Sequence, residues 1–288
     1  MHDTGADDGE GSSGAPERGG PSVLGRAFLL LDVLGRAGGP LGLSEIAAAS
    51  GIPKATTFRL LGQLVHERAV VRKGEMYAPG MRLFALGSAV RVPQRLRDAA
   101  LPVMSELSAA AGPVVHLGVL DGHTALQVQR LAGGPHQAPS VPRGPAPRRP
   151  LHATALGKAL LAQLPDERLD AFLTARTLEA VTRFTATDPA RLRREVLTIR
   201  HHGVSSERDE WRVGFCAVGA PIGTLADDVV AAIAVAGRRR TFDADRSAGA
   251  VRAAAERIAR STGATAAPRR ETTGSPIGCG GRDPSPPR

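Results

Sequence analysis

The side chains with the strongest claim to chemistry fall in a few short stretches. Glu207, Asp209 and Glu210 place three carboxylates within four positions, the raw material of acid–base work. Such a run is more commonly a solvated loop. His152 and Lys158 lie near one another in sequence and could polarise a substrate, yet nothing resembling a nucleophile accompanies them. His201 and His202 are adjacent, and adjacent side chains on a regular element point apart, so no shared metal is expected. Cys216 and Cys279 have no metal-ligand spacing, and the two cysteines do not make a disulfide scaffold, which fits a reducing compartment. The sequence contains no Gly-x-Ser-x-Gly elbow, no Walker loop and no His-Glu-x-x-His pair. We expect no enzyme, no catalytic residue, no cofactor and no metal.

A second kind of chemistry, phosphate and base recognition, is better represented. Residues 22–99 hold 11 basic and 5 acidic side chains, whereas residues 1–21 hold Arg18 against five carboxylates. The net charge of +9 is therefore concentrated where a nucleic-acid-binding module would need it. Within that third, Lys54, Thr56, Phe58 and Arg59 fall along one short stretch, and Arg72 and Lys73 follow it closely. Lys54 and Arg59 could reach phosphates or guanine edges, Thr56 a phosphate, and Phe58 a thymine methyl. The competing reading is an ordinary amphipathic surface helix with Phe58 folded into a core.

The elements that must position these groups can be read from periodicity. Ser22 caps a helix with Val23, Ala27, Leu30, Leu31 and Leu34 on one face, ended by Gly38-Gly39-Pro40. A short helix over Ser44–Ser50 follows, with Ser44 as its cap, broken by Gly51. Pro53 suits the first turn of a third helix running to about Glu67. In it Thr57, Leu60, Leu61 and Leu64 form the inward stripe, leaving Lys54, Ala55, Phe58 and Arg59 outward. Val70-Val71 and Met76-Tyr77-Ala78 flank Arg72-Lys73-Gly74-Glu75 as a hairpin with a basic tip. Helix, tight turn, helix and hairpin make a winged helix-turn-helix.

Beyond this module a helix over Met81–Val92 is interrupted at Pro93, and another spans Arg95–Ala111. The period then changes to two. Val114–Leu120 and Thr124–Leu131 flank an Asp121-Gly122 turn, and strands are expected at 213–222 and 229–236. Helices are expected at 153–163, within 166–204 and over Asp245–Arg260. Without regular βαβ alternation, the class is α+β. Aromatic residues are only 3% of the chain, so Ala, Leu and Val must fill the core. Residues 1–21 and 266–288 lack apolar periodicity and are expected to be disordered. No apolar stretch is long enough to span a bilayer, and no signal peptide is read at the N-terminus; a cytoplasmic protein with no membrane partner is expected.

Four stretches resemble the IclR-type transcriptional regulators: SEIAAASGIPKATTFRLLGQL at 44–64, LPVMSELSAAAGPVVHLGVLDGHTALQVQRL at 101–131, LHATALGKALLA at 151–162 and GVSSERDEWRVGFCAVGAPI at 203–222. With their connections they cover about residues 22–262. The resemblance implies a winged helix-turn-helix DNA-binding domain at 22–80, a linker helix at 81–97 and a GAF-like effector-binding domain at 98–265. It implies homodimers or homotetramers on near-palindromic double-stranded DNA operators, repressing until a small molecule binds, with some members activating. The matching effector positions are Val141, Ala155, Leu156, Glu207, Ala217, Ala234 and Ala236.

Three departures from the family pattern stand out. Ala234 and Ala236 stand where binders of small carboxylates tend to carry hydroxyls, Pro113 where the family has Glu, and Phe58 where a polar residue commonly faces DNA. Small apolar walls, and no cation at these positions to balance Glu207, lead to the expectation of a medium-sized apolar or aromatic effector rather than a small, highly polar acid. The alternatives are an enzyme acting on the molecule bound in the C-terminal domain and a module that has lost ligand sensing.

Overall fold

The computed structural model describes residues 22–111, 114–132, 148–175 and 177–265, and these divide into two compact units after Leu83. The arms at 1–21 and 266–288, Pro113 and Val141 lie outside the described residues.

The first unit contains α1 (Val23–Arg36), β1 (Leu41–Gly42), α2 (Leu43–Ser50), α3 (Lys54–His66), β2 (Val70–Lys73) and β3 (Met76–Pro79). Ser22 caps α1 by accepting the Gly25 N–H at 3.1 Å. The second helix begins one residue earlier than its serine suggests. Its cap is Gly42, whose N–H donates to the Glu45 carboxylate at 2.7 Å, so Ser44 lies inside the first turn. Gly51 ends α2 in the left-handed region at φ 68°, and Pro53 is the cap of α3 rather than its first helical residue. Leu30, Leu34, Ile46, Ile52, Leu60, Leu61, Val70 and Tyr77 form the core. Thr57 is buried among them because its hydroxyl donates back to the Ile52 carbonyl at 3.1 Å. Leu64, expected in the inward stripe, is only partly buried. The hairpin pairs Lys73 with Met76, and β1, too short to show a period, adds a third strand by pairing Leu41 with Tyr77.

The second unit begins within α4 (Met81–Ser88). It comprises α5 (Arg91–Ala111), β4 (Val114–Asp121), β5 (Thr124–Ala132), β6 (Arg148–Pro150), α6 (Ala155–Leu161), α7 (Asp166–Ala175), α8 (Pro189–His202), β7 (Ser205–Arg208), β8 (Phe215–Thr224), a 3₁₀ turn at Ala226–Asp228, β9 (Val230–Arg238) and α9 (Ala244–Thr262). The break placed at Pro93 occurs earlier, at Ala89-Val90. Pro93 lies in the first turn of α5, where its missing N–H leaves no helical bond unmade. Leu96, in the stretch read as linker, is fully buried in the core of this unit.

Six strands form one antiparallel sheet in the order β6-β5-β4-β9-β8-β7. Alternation sends Val115, Leu117, Val119, Val218, Ala220, Ile233 and Val235 to one face, against α5 and α9. The opposite face carries Ala125, Ala232 and Ala234 against α6, with α7 and α8 completing that layer. The edge strands β6 and β7, four residues or fewer, escaped the periodicity reading.

Candidate functional sites

On α3 the inward stripe and the outward groups separate as expected. Phe58 is 54% exposed, and Lys54, Ala55 and Arg59 are exposed beside it. The alternative in which Phe58 folds into the core does not hold. Thr56 is half-buried at the edge of the same face. The wing separates its two cations. Lys73 is exposed, whereas Arg72 is bound to its own turn: Nε donates to the Gly74 carbonyl at 2.8 Å, a second nitrogen reaches Glu75 at 2.8 Å, and the guanidinium lies 5.6 Å from the Tyr77 ring centre. Arg72 therefore shapes the tip that presents Lys73.

In the second unit the sheet register assembles the other expected residues. Glu207, Ala217 and Ala236 are cross-strand neighbours in one row, and Ala234 lies one row away beside Gly219 and His116. The start of α6 packs directly on this face. Thr154 caps it by accepting the Gly157 N–H at 3.0 Å. A side chain at Gly157 would overlap the Leu151 backbone, and one at Gly219 would meet the Ala155 carbonyl at 3.0 Å, so only glycine admits this approach. Ala155 and Leu156 are thereby held at the sheet, with Ser205 donating to the Ala155 carbonyl at 2.6 Å. Six of the seven expected effector positions share one face; the seventh, Val141, is among the residues not described.

The carboxylate run is not a solvated loop. Glu207, Asp209 and Glu210 are all buried. Asp209 adopts φ +61° and accepts the Gly214 N–H at 2.6 Å, closing the turn between β7 and β8. Glu210 receives both hydrogen bonds of Lys158, at 2.7 and 2.9 Å, and Glu195 lies 2.7 Å from the same ammonium. His152, suspected of sharing a site with that lysine, bonds instead to the Glu179 carbonyl at 2.9 Å. Glu207 accepts the N–H groups of Glu210 and Trp211 at 3.2 and 3.4 Å. Burial, assisted by the charge of Glu210, pushes its pKa up to about 7 despite those bonds and Lys158.

Sequence reasoning missed several groups on this face. His116 meets the Gln127 amide oxygen at 2.7 Å, and its pKa is held down to about 3, first by burial and next by Arg149. Arg149 on β6 lies 5.3 Å from the Trp211 ring centre. The expectation of an apolar effector rested on small apolar walls and on the lack of a cation near Glu207; Arg149 supplies a cation, and the charge of Glu207 acts to raise its pKa. Alternation could have placed Arg130 opposite Leu131 on β5. No signal marked Arg149, because a three-residue edge strand has no period.

A winged helix-turn-helix in one chain with an α+β unit, whose α6 face carries small side chains and charged groups, is the build of a two-domain DNA-binding regulator. Residues 23–74 match the IclR helix-turn-helix domain and residues 89–260 the bacterial transcriptional regulator IclR C-terminal domain. The transcriptional repressor IclR of Escherichia coli is 30% identical over 81% of this chain and 85% of its own length. The regulator Rv1719 of Mycobacterium tuberculosis is 35% identical over 74% and 81%. A solved IclR homolog from Microbacterium hydrocarbonoxydans, complexed with 4-hydroxybenzoate, has a TM-score of 0.72 at 25% identity, covering 85% of this chain and all of that one. The chain belongs to the IclR family of bacterial transcriptional regulators.

Proposed function

We propose that this protein is a transcriptional repressor whose affinity for a near-palindromic operator is set by a small molecule bound on the α6 face of its six-stranded sheet. The observation that carries the DNA side is the partition of α3: Thr57, Leu60 and Leu61 are locked into the core while Lys54, Phe58 and Arg59 stand exposed. Such a helix enters the major groove by its N-terminal half, and Lys73 on the wing follows the backbone. The chain acts as a homodimer or homotetramer in the cytoplasm, so two recognition helices meet two half-sites.

The effector reading is supported by Ala155, Leu156, Glu207, Ala217, Ala234 and Ala236 sharing one face, and by the bound 4-hydroxybenzoate of the Microbacterium homolog. The small apolar walls suit a ligand with hydrocarbon or aromatic surface, at about 25 cal/mol per Å² buried. Binding of labelled DNA from upstream of this gene and its neighbours, measured at fixed salt, tests the proposal. A protected near-palindrome, released by a small molecule that stabilises the protein, is expected. Binding with no preference over unrelated DNA of equal length would overturn it.

A further inference from the structure

Two guanidiniums stand on the α6 face with no carboxylate at ion-pair distance among the described residues. Arg130 on β5 is in register with His116, which is in register with Ala234. Arg149 on β6 is in register with Ala125, on the same face, and lies over the indole of Trp211. The neighbouring Arg148 is paired outward with Asp121. By contrast, the Nε atoms of Arg130 and Arg149 are buried and have no hydrogen-bond partner among the described residues. The chain between them, residues 133–147, contains no Asp or Glu in its sequence.

Among the described residues only Glu207 opposes the charge of this pair, and it acts on Arg149 and not on Arg130. Burial disfavours both charges, and each arginine acts on the same His116 ring; Arg149 is further opposed by Arg130. A guanidinium does not relieve such opposition by losing its proton. His116 is neutral, as its low pKa requires. Glu207 is only partly ionised near neutral pH, and one of its oxygens is occupied by two backbone N–H groups. Glu210 and Glu195 are already committed to Lys158. Two cations with no ion-pair partner among the described residues, on a face with small apolar walls, call for two anionic groups on the ligand, since a guanidinium forms its strongest hydrogen bonds with ionised oxygens.

We infer that the effector of this protein is a dianion with an apolar body, and that Arg130 and Arg149 are the residues that select it over monoanions and neutral molecules. This rests on the α6 face being the effector site proposed above. The two charges can sit on two carboxylates, one to each guanidinium, or on a single phosphate monoester shared between them. Ala217, Ala234, Ala236 and Leu156 supply the walls for the body.

Trp211 is the only tryptophan in the sequence, so its emission reports the surroundings of Arg149. The full-length protein is titrated with pairs of similar body that differ by one charge: phthalate against benzoate, adipate against its half-amide, and phenyl phosphate against its methyl ester. The dianion of at least one pair should change the emission and bind about tenfold or more tighter than its partner. Arg130→Gln should reduce that dianion to the affinity of its monoanionic partner, and Arg130→Lys should keep most of the preference. Arg149→Gln should abolish binding of both, read by calorimetry, in protein whose thermal transition remains cooperative. Preference for phenyl phosphate assigns both charges to one group, and preference for phthalate or adipate assigns them to two carboxylates.

Equal affinity within every pair, an unchanged preference in Arg130→Gln, or no response to any dianion at about 10 mM would overturn the inference. A neutral compound that releases operator DNA equally from wild type and Arg149→Gln would overturn it too, while leaving the repressor reading intact. Failure to bind operator DNA would instead remove the repressor reading, whatever the titrations give.

Discussion

Lys158 Nζ lies 2.7 and 2.9 Å from the two carboxylate oxygens of Glu210, and the lysine is only 1% exposed. The pair ties α6 to the turn between β7 and β8, bridging 52 positions of sequence. Glu195 on α8 completes the set. A buried ion pair adds little over a well-packed apolar contact, but removing one member strands the other charge. Lys158→Met should therefore destabilise the second unit by about 3–5 kcal/mol. Urea unfolding measures this, and a loss below about 1 kcal/mol would show that Glu210 finds water or another cation on its own.

The raised pKa of Glu207 makes stability depend on pH. Its folded value of about 7 lies above its ordinary 4.5, so the folded state holds the proton more tightly than the unfolded chain. Stability on this account is full below pH 4.5, falls as pH rises from 4.5 to 7, and stays reduced above; the drop is about 3 kcal/mol. His116 acts in the opposite sense, since a folded value of about 3 against 6.5 makes stability fall as pH drops from 6.5 towards 3. Wild type should thus show a shallow profile between pH 4.5 and 6.5. Glu207→Gln should steepen it, losing stability on acidification with no decline from 4.5 to 7. Parallel profiles for the two proteins in denaturant titrations would show that Glu207 titrates normally.

On the DNA side, Arg59→Ala should cost about 1–3 kcal/mol at the operator and alter preference at one base position. Lys73→Ala should weaken binding to all sequences alike and lower the salt slope by about 1. Arg72→Ala should have a different signature, because its guanidinium holds Gly74 and Glu75. It should disorder the wing tip and reduce affinity with little change in salt slope. An Arg72 variant with the same slope change as Lys73→Ala would make Arg72 a direct phosphate ligand.

The second unit should fold without the first. A fragment of residues 98–265 lacks Leu96, which is fully buried in the same core cluster as Met104 and Val115. A fragment of residues 89–265 should melt cooperatively and exceed the shorter one by about 2–5 kcal/mol, the usual cost of deleting a buried leucine side chain. Equal stability of the two would show that the first turns of α5 contribute nothing to the domain.

Local pattern was enough for the recognition module. The spacing of Thr57, Leu60 and Leu61, the Gly51 break and the basic hairpin tip are properties of neighbouring residues, and short-range sterics and burial translate them directly into α2, α3 and the wing. The identity of the cap was less legible, because Glu45 reaching back to the Gly42 N–H competes successfully with the serine beside it. In the second unit the alternating strands β4, β5, β8 and β9 were visible for the same local reason.

What only the tertiary structure decided is the electrostatics of the site. Glu207 is charged or neutral according to how deeply β7 is covered, and Glu210 is a structural anion because α6 brings Lys158 to it. Arg130 and Arg149 lie 19 positions apart on two strands, and their shared face is set by the pairing of β5 with β4 and β6. A charge's effect depends on distance and dielectric in three dimensions, which no one-dimensional spacing encodes. The sequence alone therefore determined the modules, and the fold decided which charges face one another across the α6 face of the sheet.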